Sequence, residues 1–379
     1  MYDVVVVGAG PVGNSAARFC AEKGLSVLVL EEHPAVGHPV QCAGLLSNAA
    51  FAACEVSMRS VYRTVSGAKI YPEIGNPLVF DAGCTKAYVV DRTQLDAETA
   101  ARAADAGADF AVKTCAAHAD EKRKCIRTAD GNEISYRILI AADGPRSVVA
   151  RSFGVAPSKY LYAGVQAEVP YAIDTPQVEL YPNASPDFFA WAIPVTDTVS
   201  RIGLCGTKQV PELFAAFKKR FSASTLHFVT GAIPIGIREK ICGPSWMLAG
   251  DAAGFPKPTS GGGIYTGIRS AFHAADTAAE ALETGDTSVY AKRCRDDFGR
   301  ELEIGMQFLK FRRSLAKEDV DKILGVLNTP EIIRIISEYG DMDKPSLLFK
   351  QLIKRPEFLS LGWTGVKGLM KMVAGAKEE

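Results

Sequence analysis

Several things a chain of 379 residues could carry are missing from this one. No run approaches the roughly 18 consecutive apolar residues that a membrane-spanning helix needs, and no charged region followed by an apolar stretch opens the chain as a secretory leader would. Neither sign of charge dominates, with Lys+Arg and Asp+Glu at 43 each, so a general affinity for nucleic acid is excluded. The nine cysteines are odd in number and include no C-x-x-C, which leaves no recognisable disulfide framework, metal site or iron–sulfur spacing. Most are expected to be small buried hydrophobes. The expectation from these absences is a cytoplasmic protein of ordinary globular composition, 47% hydrophobic and 23% charged, long enough for two or three domains.

What is present is concentrated first in residues 3–32. Asp3-Val4-Val5-Val6-Val7 is a β-branched run of the kind that a parallel strand buried on both faces requires. It leads into Gly8-Ala9-Gly10-Pro11-Val12-Gly13, a G-x-G-x-x-G. Gly8 permits the tight turn, Gly10 lets backbone approach a pyrophosphate, and Gly13 lets the following helix pack closely on the strand. That helix, expected from Pro11 to about Lys23, aims its free N–H groups at the pyrophosphate. The next strand, Ser26 to Leu30, delivers Glu31, whose carboxylate suits a ribose 2′-hydroxyl and would repel a 2′-phosphate. The residues thus point to FAD or NAD and not NADP.

A Gly/Pro-punctuated loop, Glu32 to Leu45, then has to pass along the rest of the cofactor, and Cys42 sits near its end among small residues. A helix is expected from Arg92 to Gly107, and a hairpin across Asp130-Gly131 whose second arm ends in Asp143-Gly144, at the sheet edge where such folds bind ligands. Residues 160–235 read as a second β-rich block, with strands near Ala163–Val169, Gln177–Tyr181, Phe188–Pro194 and Val199–Cys205 and a basic helix around Leu213–Arg220. In its aromatic stretch Phe189, Trp191 and Ile193 share one face by the two-residue strand period. Such a face lines a chamber or packs into a core.

The chain then returns to the first domain with Gly250-Asp251 after a strand, and with Gly261-Gly262-Gly263-Ile264 opening a long helix whose positive end would face a planar group. The tail carries Lys310, Arg312, Arg313, Lys350, Lys354, Arg355, Lys367 and Lys371 among Leu352, Phe358, Leu361, Trp363, Leu369 and Met370. A packed helix pair with a solvated face is the favoured reading there, and peripheral contact with an anionic membrane surface is the other.

The fold class expected is α/β: a Rossmann-like dinucleotide-binding domain with a parallel sheet (1–65, 88–155 and 240–300), a β-rich substrate domain roofing it (66–87 and 156–239), and a C-terminal helical region (301–379). The ordered set of Gly8, Gly10 and Gly13 with Glu31, then Asp143-Gly144, then Gly250-Asp251, resembles the p-hydroxybenzoate hydroxylase type of flavoprotein. Within that type the chain is most similar to the geranylgeranyl reductase family, above all its archaeal digeranylgeranylglycerophospholipid reductases. Four features carry this: Pro39-Val40-Gln41-Cys42, the helix start at Arg92, Phe189-x-Trp191-x-Ile193-Pro194, and Gly261-Gly262-Gly263-Ile264.

The resemblance implies FAD contacts at Gly13, Asn14, Glu31, Gln41, Cys42, Gly44, Arg92, Ala116, Asp251, Gly263 and Ile264, besides the turn glycines Gly8 and Gly10. It implies saturation of isoprenoid C=C bonds of a prenyl lipid, with Cys42 as candidate proton donor or flavin tuner and Phe189, Trp191 and Ile193 along the lipid. Only one dinucleotide fingerprint occurs, so electrons are expected from an external donor: ferredoxin, a deazaflavin or a transiently docked nicotinamide. An aromatic monooxygenase, a quinone-reducing electron-transfer flavoprotein and a non-catalytic flavin binder share the fold and remain alternatives.

Overall fold

The first strand of the chain, Tyr2–Val7, lies in the middle of its sheet. It pairs in parallel with Val27–Leu30 on one side and Glu133–Ala141 on the other, and Val4 to Val7 are 0–6% exposed, which is why a β-branched run was needed there. This computed structural model describes residues 1–221 and 224–355. The parallel core continues through Asp109–Ala111 at one edge and Trp246–Leu248 at the other, with the Cys125–Thr128 and Ala116–Asp120 hairpin arms attached to Glu133–Ala141. Helix Pro11–Glu22 starts with proline in its first turn and packs between helix Arg92–Asp105 and helix Ile264–Thr284. The last of these buries Ala271, Ala274, Ala275, Ala278 and Ala281, a helical-period stripe of small side chains that lets it lie close to its neighbours.

A second sheet runs in the order His227–Ile235, Tyr160–Pro170, Val199–Gly206, Ala190–Pro194, Gln177–Tyr181, Gly67–Ile70, Leu78–Asp81. Its two faces differ. Val165, Ala167, Val169, Ala190, Ala192, Ile202 and Leu204 point to the side covered by Phe214 and Phe217 of helix Val210–Lys218 and form one core. The alternate residues, Gln166, Glu168, Phe189, Trp191, Arg201 and Gly203, point to the other side, toward the first domain. The strand His227–Ile235 had no sequence expectation, because its Thr-Gly-Ala-Ile-Pro run lacks alternation; pairing along the whole of Tyr160–Pro170 makes it a strand.

A small third sheet, Leu45–Ser47, Ala87–Val90 and Val61–Val65, joins the two. Four helices, Arg300–Ser314, Lys317–Leu327, Pro330–Tyr339 and Pro345–Leu352, follow the first domain. They cover the edge strand Leu78–Asp81, where Leu78 packs with Ile332, Ile335, Ile336 and Leu352. Two of the basic residues here, Arg312 and Arg313, are turned inward. Arg312 donates to the carbonyls of Pro182 and Ser185, Arg313 to Tyr162 Oη and Asp187 Oδ2, and Arg355 pairs with Glu331. Lys310, Lys350 and Lys354 are exposed. Phe358, Leu361, Trp363, Lys367, Leu369, Met370 and Lys371 lie outside the described residues. Among the described residues no helix is long and apolar enough to cross a membrane.

Candidate functional site

The amino-terminal turn is built to approach something other than protein. A Cβ on Gly13 would lie 1.8 Å from the Gly8 carbonyl oxygen, and one on Gly8, where φ is +96°, 2.5 Å from that of Ala142. Both positions are therefore closed to side chains. Nothing lies within 4 Å of the same point on Gly10. The open cradle thus sits over the start of helix Pro11–Glu22, where N–H groups have no helical acceptor.

Glu31 ends the next strand, 9% exposed. Its Oε2 accepts the Ala9 N–H at 2.9 Å and its Oε1 the His33 N–H at 2.9 Å, with His33 Nδ1 at 2.7 Å. Oε2, with a single protein donor, keeps acceptor capacity for a hydroxyl. Ala116 is 7% exposed and follows Thr114, whose N–H donates to the Glu31 carbonyl at 2.8 Å, so it lies at this end. Asn14 is fully buried. Its amide donates to Ala9 O, Asp96 O and Thr99 Oγ1, tying the turn to helix Arg92–Asp105 and leaving Oδ1 without a protein partner. The open Gly10 cradle at the helix start and the acid at the strand end fit an extended dinucleotide.

At the far end the third sheet brings Cys42 and Arg92 together. Leu45 pairs with Val89 and Val90 N–H donates to Gly44 O, so continuing that antiparallel register outward sets Cys42 opposite Arg92. The Arg92 guanidinium lies beside the Cys42 sulfur and makes paired bonds to Asp96, Nε and Nη2 each at 2.9 Å. Burial opposes its charge, but Asp96 and the sulfur hold its pKa above the ordinary guanidinium value. The Cys42 sulfur also accepts the Gly44 N–H at 3.3 Å.

Asp251 stands next to this group. Burial pushes its carboxyl up to about 6, against the pull of the Arg92 charge. A Cβ on Gly263 would come 2.7 Å from Asp251 Oδ1, so glycine is what lets the start of helix Ile264–Thr284 reach the carboxyl. One guanidinium thus bonds Asp96, lies beside the Cys42 thiol and acts on Asp251 through its charge.

The second sheet closes over this point. The Gln41 carbonyl lies against Gly231, 3.3 Å from where a Cβ would be, and Gly261 faces Ile233 and Phe188. The Trp191 indole lies across its register partner Gly203, where a Cβ would be 2.2 Å from Cζ2. Phe189 and Trp191 are half-buried and belong with Tyr160, Tyr162 and Ile233 to one apolar wall. Ile193, on the same strand face, is 2% exposed and packs against Val65, Val89 and Leu45 beside the wall, in the core and not on its surface.

The residues expected from sequence therefore gather at two ends: Gly8, Gly10, Gly13, Asn14, Glu31 and Ala116 at one, and Gln41, Cys42, Gly44, Arg92, Asp251, Gly263, Ile264 and the Trp191 wall at the other. Sequence reasoning missed Gln166, Glu168, Arg201, Lys257 and Asp343. The signal was available for the first three, since long polar side chains inside otherwise apolar strands need a buried partner.

Fold and site together define a flavoprotein of the p-hydroxybenzoate hydroxylase type, with FAD as its cofactor. Residues 1–210 match the family model described as FAD binding domain. The p-nitrophenol 4-monooxygenase of Pseudomonas putida shares the fold, with a TM-score of 0.71 at 15% identity over 92% of this chain and 98% of that one. Digeranylgeranylglycerophospholipid reductase 2 of Methanothermobacter thermautotrophicus is 30% identical over 375 residues, 90% of this chain and 97% of the relative. A geranylgeranyl bacteriochlorophyll reductase-like protein of Thermoplasma acidophilum superposes with a TM-score of 0.81 at 26% identity, over 93% of this chain and 98% of that one. The chain belongs to the digeranylgeranylglycerophospholipid reductase family of FAD-binding-domain proteins.

Proposed function

We propose that this FAD-dependent oxidoreductase saturates isoprenoid C=C bonds of a prenyl lipid, using electrons from a separate reductant. The carrying observation is a thiol, Cys42, beside the Arg92 guanidinium, on a loop whose Cys42 carbonyl is tied through Gln166 to the Trp191 wall. In this reading residues 1–65, 88–155 and 240–300 hold the nucleotide, 66–87 and 156–239 the lipid, and 301–379 is a C-terminal helical region. Gly8, Gly10, Gly13 and Asn14 hold the pyrophosphate region, Glu31 and Ala116 the adenosine end, and Gln41, Cys42, Gly44, Arg92, Asp251, Gly263 and Ile264 the ring end.

An isolated alkene has no heteroatom on which to hold charge, so reduction needs a hydride at one carbon and a proton at the other. When bound and reduced, FAD supplies the hydride. Cys42 gives its proton to the second carbon, and the thiolate left behind is balanced by the Arg92 charge beside it. The wall of Phe189 and Trp191, with Ile193 packed beside it, holds the chain and keeps competing water out.

The test is anaerobic: reduce the flavin with dithionite, add a geranylgeranyl glycerophospholipid, and follow flavin reoxidation with a mass gain of two hydrogens per double bond. Reoxidation only by oxygen in the presence of a phenol would replace this reading with a monooxygenase. Cys42→Ser is expected to keep FAD and lose turnover. Trp191→Ala is expected to weaken long prenyl chains more than short ones. Full turnover by the serine variant would remove Cys42 from the proton step.

A further inference from the structure

The loop that carries Cys42 is rich in glycine and proline and has little structure of its own. What fixes it is the second sheet. Gln166, 6% exposed on strand Tyr160–Pro170, accepts the Trp191 Nε1–H at 3.1 Å on Oε1 and donates from Nε2 to the Cys42 carbonyl at 3.4 Å. The indole nitrogen can only donate and the peptide carbonyl can only accept, so the orientation of the carboxamide is dictated by chemistry. Two residues along, Glu168 accepts Arg201 Nε at 2.9 Å, and Arg201 Nη1 donates to the carbonyls of Ala43 and Val90, each at 3.0 Å. Successive peptides of the loop are thereby held by one face of the second sheet, while the Cys42 sulfur lies beside Arg92 of its own domain.

We propose that Gln166 is a positioning residue for Cys42, coupling the Trp191 wall that meets the lipid to the peptide that carries the thiol. The proposal rests on the proton-transfer reading of Cys42 given above. Methionine at this position has similar length and can serve neither partner. Glutamate can serve both only while protonated: its O–H then donates to Cys42 O and its other oxygen accepts from Trp191. Once ionised it has no donor and turns a charge on the Cys42 carbonyl.

The test uses the full-length FAD-loaded protein in three forms, wild type, Gln166→Met and Gln166→Glu. Two readouts are needed. One is the rate of iodoacetamide alkylation at the Cys42 peptide, followed by mass spectrometry, with exposed Cys84 as internal reference; it needs no lipid. The other is the kcat and KM of anaerobic flavin reoxidation by a geranylgeranyl glycerophospholipid across pH 5–9.

In Gln166→Met, Cys42 is expected to alkylate about fivefold faster relative to Cys84, and kcat to fall about tenfold with KM within about twofold, the scale of losing one buried hydrogen bond. Gln166→Glu is expected to follow wild type at low pH and Gln166→Met at high pH, so the ratio of Gln166→Glu to wild type changes with pH. Wild-type alkylation at Cys42 in both variants, with FAD retained, would overturn the proposal, as would a flat ratio of Gln166→Glu to wild type across the pH range. If no prenyl lipid reoxidises the wild-type flavin, the functional reading fails, and the alkylation readout still decides the role of Gln166.

Discussion

Breaking the ion pair between Lys257 and Asp343 should loosen the triple-glycine turn from a distance. Their side chains are 8% and 3% exposed, so both charges are held out of water. Lys257 belongs to the turn: Gly261 N–H donates to its carbonyl at 2.8 Å and its own N–H to Gly262 O at 3.0 Å. Asp343 belongs to the C-terminal helices and also accepts the Ser47 hydroxyl, the side chain that caps helix Asn48–Cys54. Removing one partner from a buried pair strands the other charge, at about 3–5 kcal/mol. Asp343→Leu should therefore lower the local opening free energy of helix Pro345–Leu352 and of the turn by that amount. At 1.4 kcal/mol per decade, amide exchange there should speed up on the order of 10²–10⁴-fold. Hydrogen exchange resolved by mass spectrometry reads this, with strand Tyr2–Val7 as the unaffected reference. The double variant Lys257→Met with Asp343→Leu should recover most of the loss, because an apolar pair of similar volume replaces the ionic one. FAD retention on gel filtration should follow the same order, wild type then double then single. Less than tenfold faster exchange in Asp343→Leu, or a double variant as damaged as the single, would refute the reasoning.

Gly203→Ala places a methyl where the Trp191 indole lies, 2.2 Å from Cζ2, so the ring must turn away from Gln166. The expected cost is about 1–3 kcal/mol of stability by denaturant titration, with a shift in tryptophan fluorescence. Unchanged emission would show that the ring has room. In the flavin-free protein the Asp251 carboxyl, raised to about 6, favours its protonated form in the folded state, so its contribution is present below about pH 4 and lost as pH rises through 6. Comparing wild type with Asp251→Asn by urea titration should show a difference that changes by about 3 kcal/mol across that window and is flat above it. Gly13→Ala, with its methyl 1.8 Å from the Gly8 oxygen, is expected to abolish FAD binding in a colourless but folded protein by circular dichroism.

The local devices of the fold were legible because short-range physics fixes them. A β-branched run bounded by a glycine turn has few conformations open to it, and the strand, turn and helix of residues 2–22 follow within a residue or two of expectation. The same holds for the Asp130-Gly131 hairpin and for the helix opened at Ile264. The strand His227–Ile235 was not legible, since its pairing with Tyr160–Pro170 and not its own pattern makes it a strand. The tail shows the same limit from the other side. A row of Lys and Arg reads as a solvated face, yet Arg312 and Arg313 spend their donors on Tyr162 of the second sheet and on carbonyls and an aspartate of the 182–187 connection.

The geometry of Gly8 to Glu31 could be read from the chain alone, because spacing along one strand–turn–helix–strand unit sets it. The chain alone also singled out Cys42, Arg92, Asp251 and Trp191, each within a local motif. That Cys42 comes beside Arg92, with Trp191 tied to the Cys42 peptide through Gln166, is a matter of tertiary packing. The register of Leu45–Ser47 on Ala87–Val90 sets Cys42 opposite Arg92, and sheet alternation turns Gln166 and Arg201 toward the same loop. Those are contacts between residues as many as 158 apart in the chain, as for Arg201 and Ala43. Such contacts depend on which buried polar groups find partners once the domains close, and that is a property of the packed molecule.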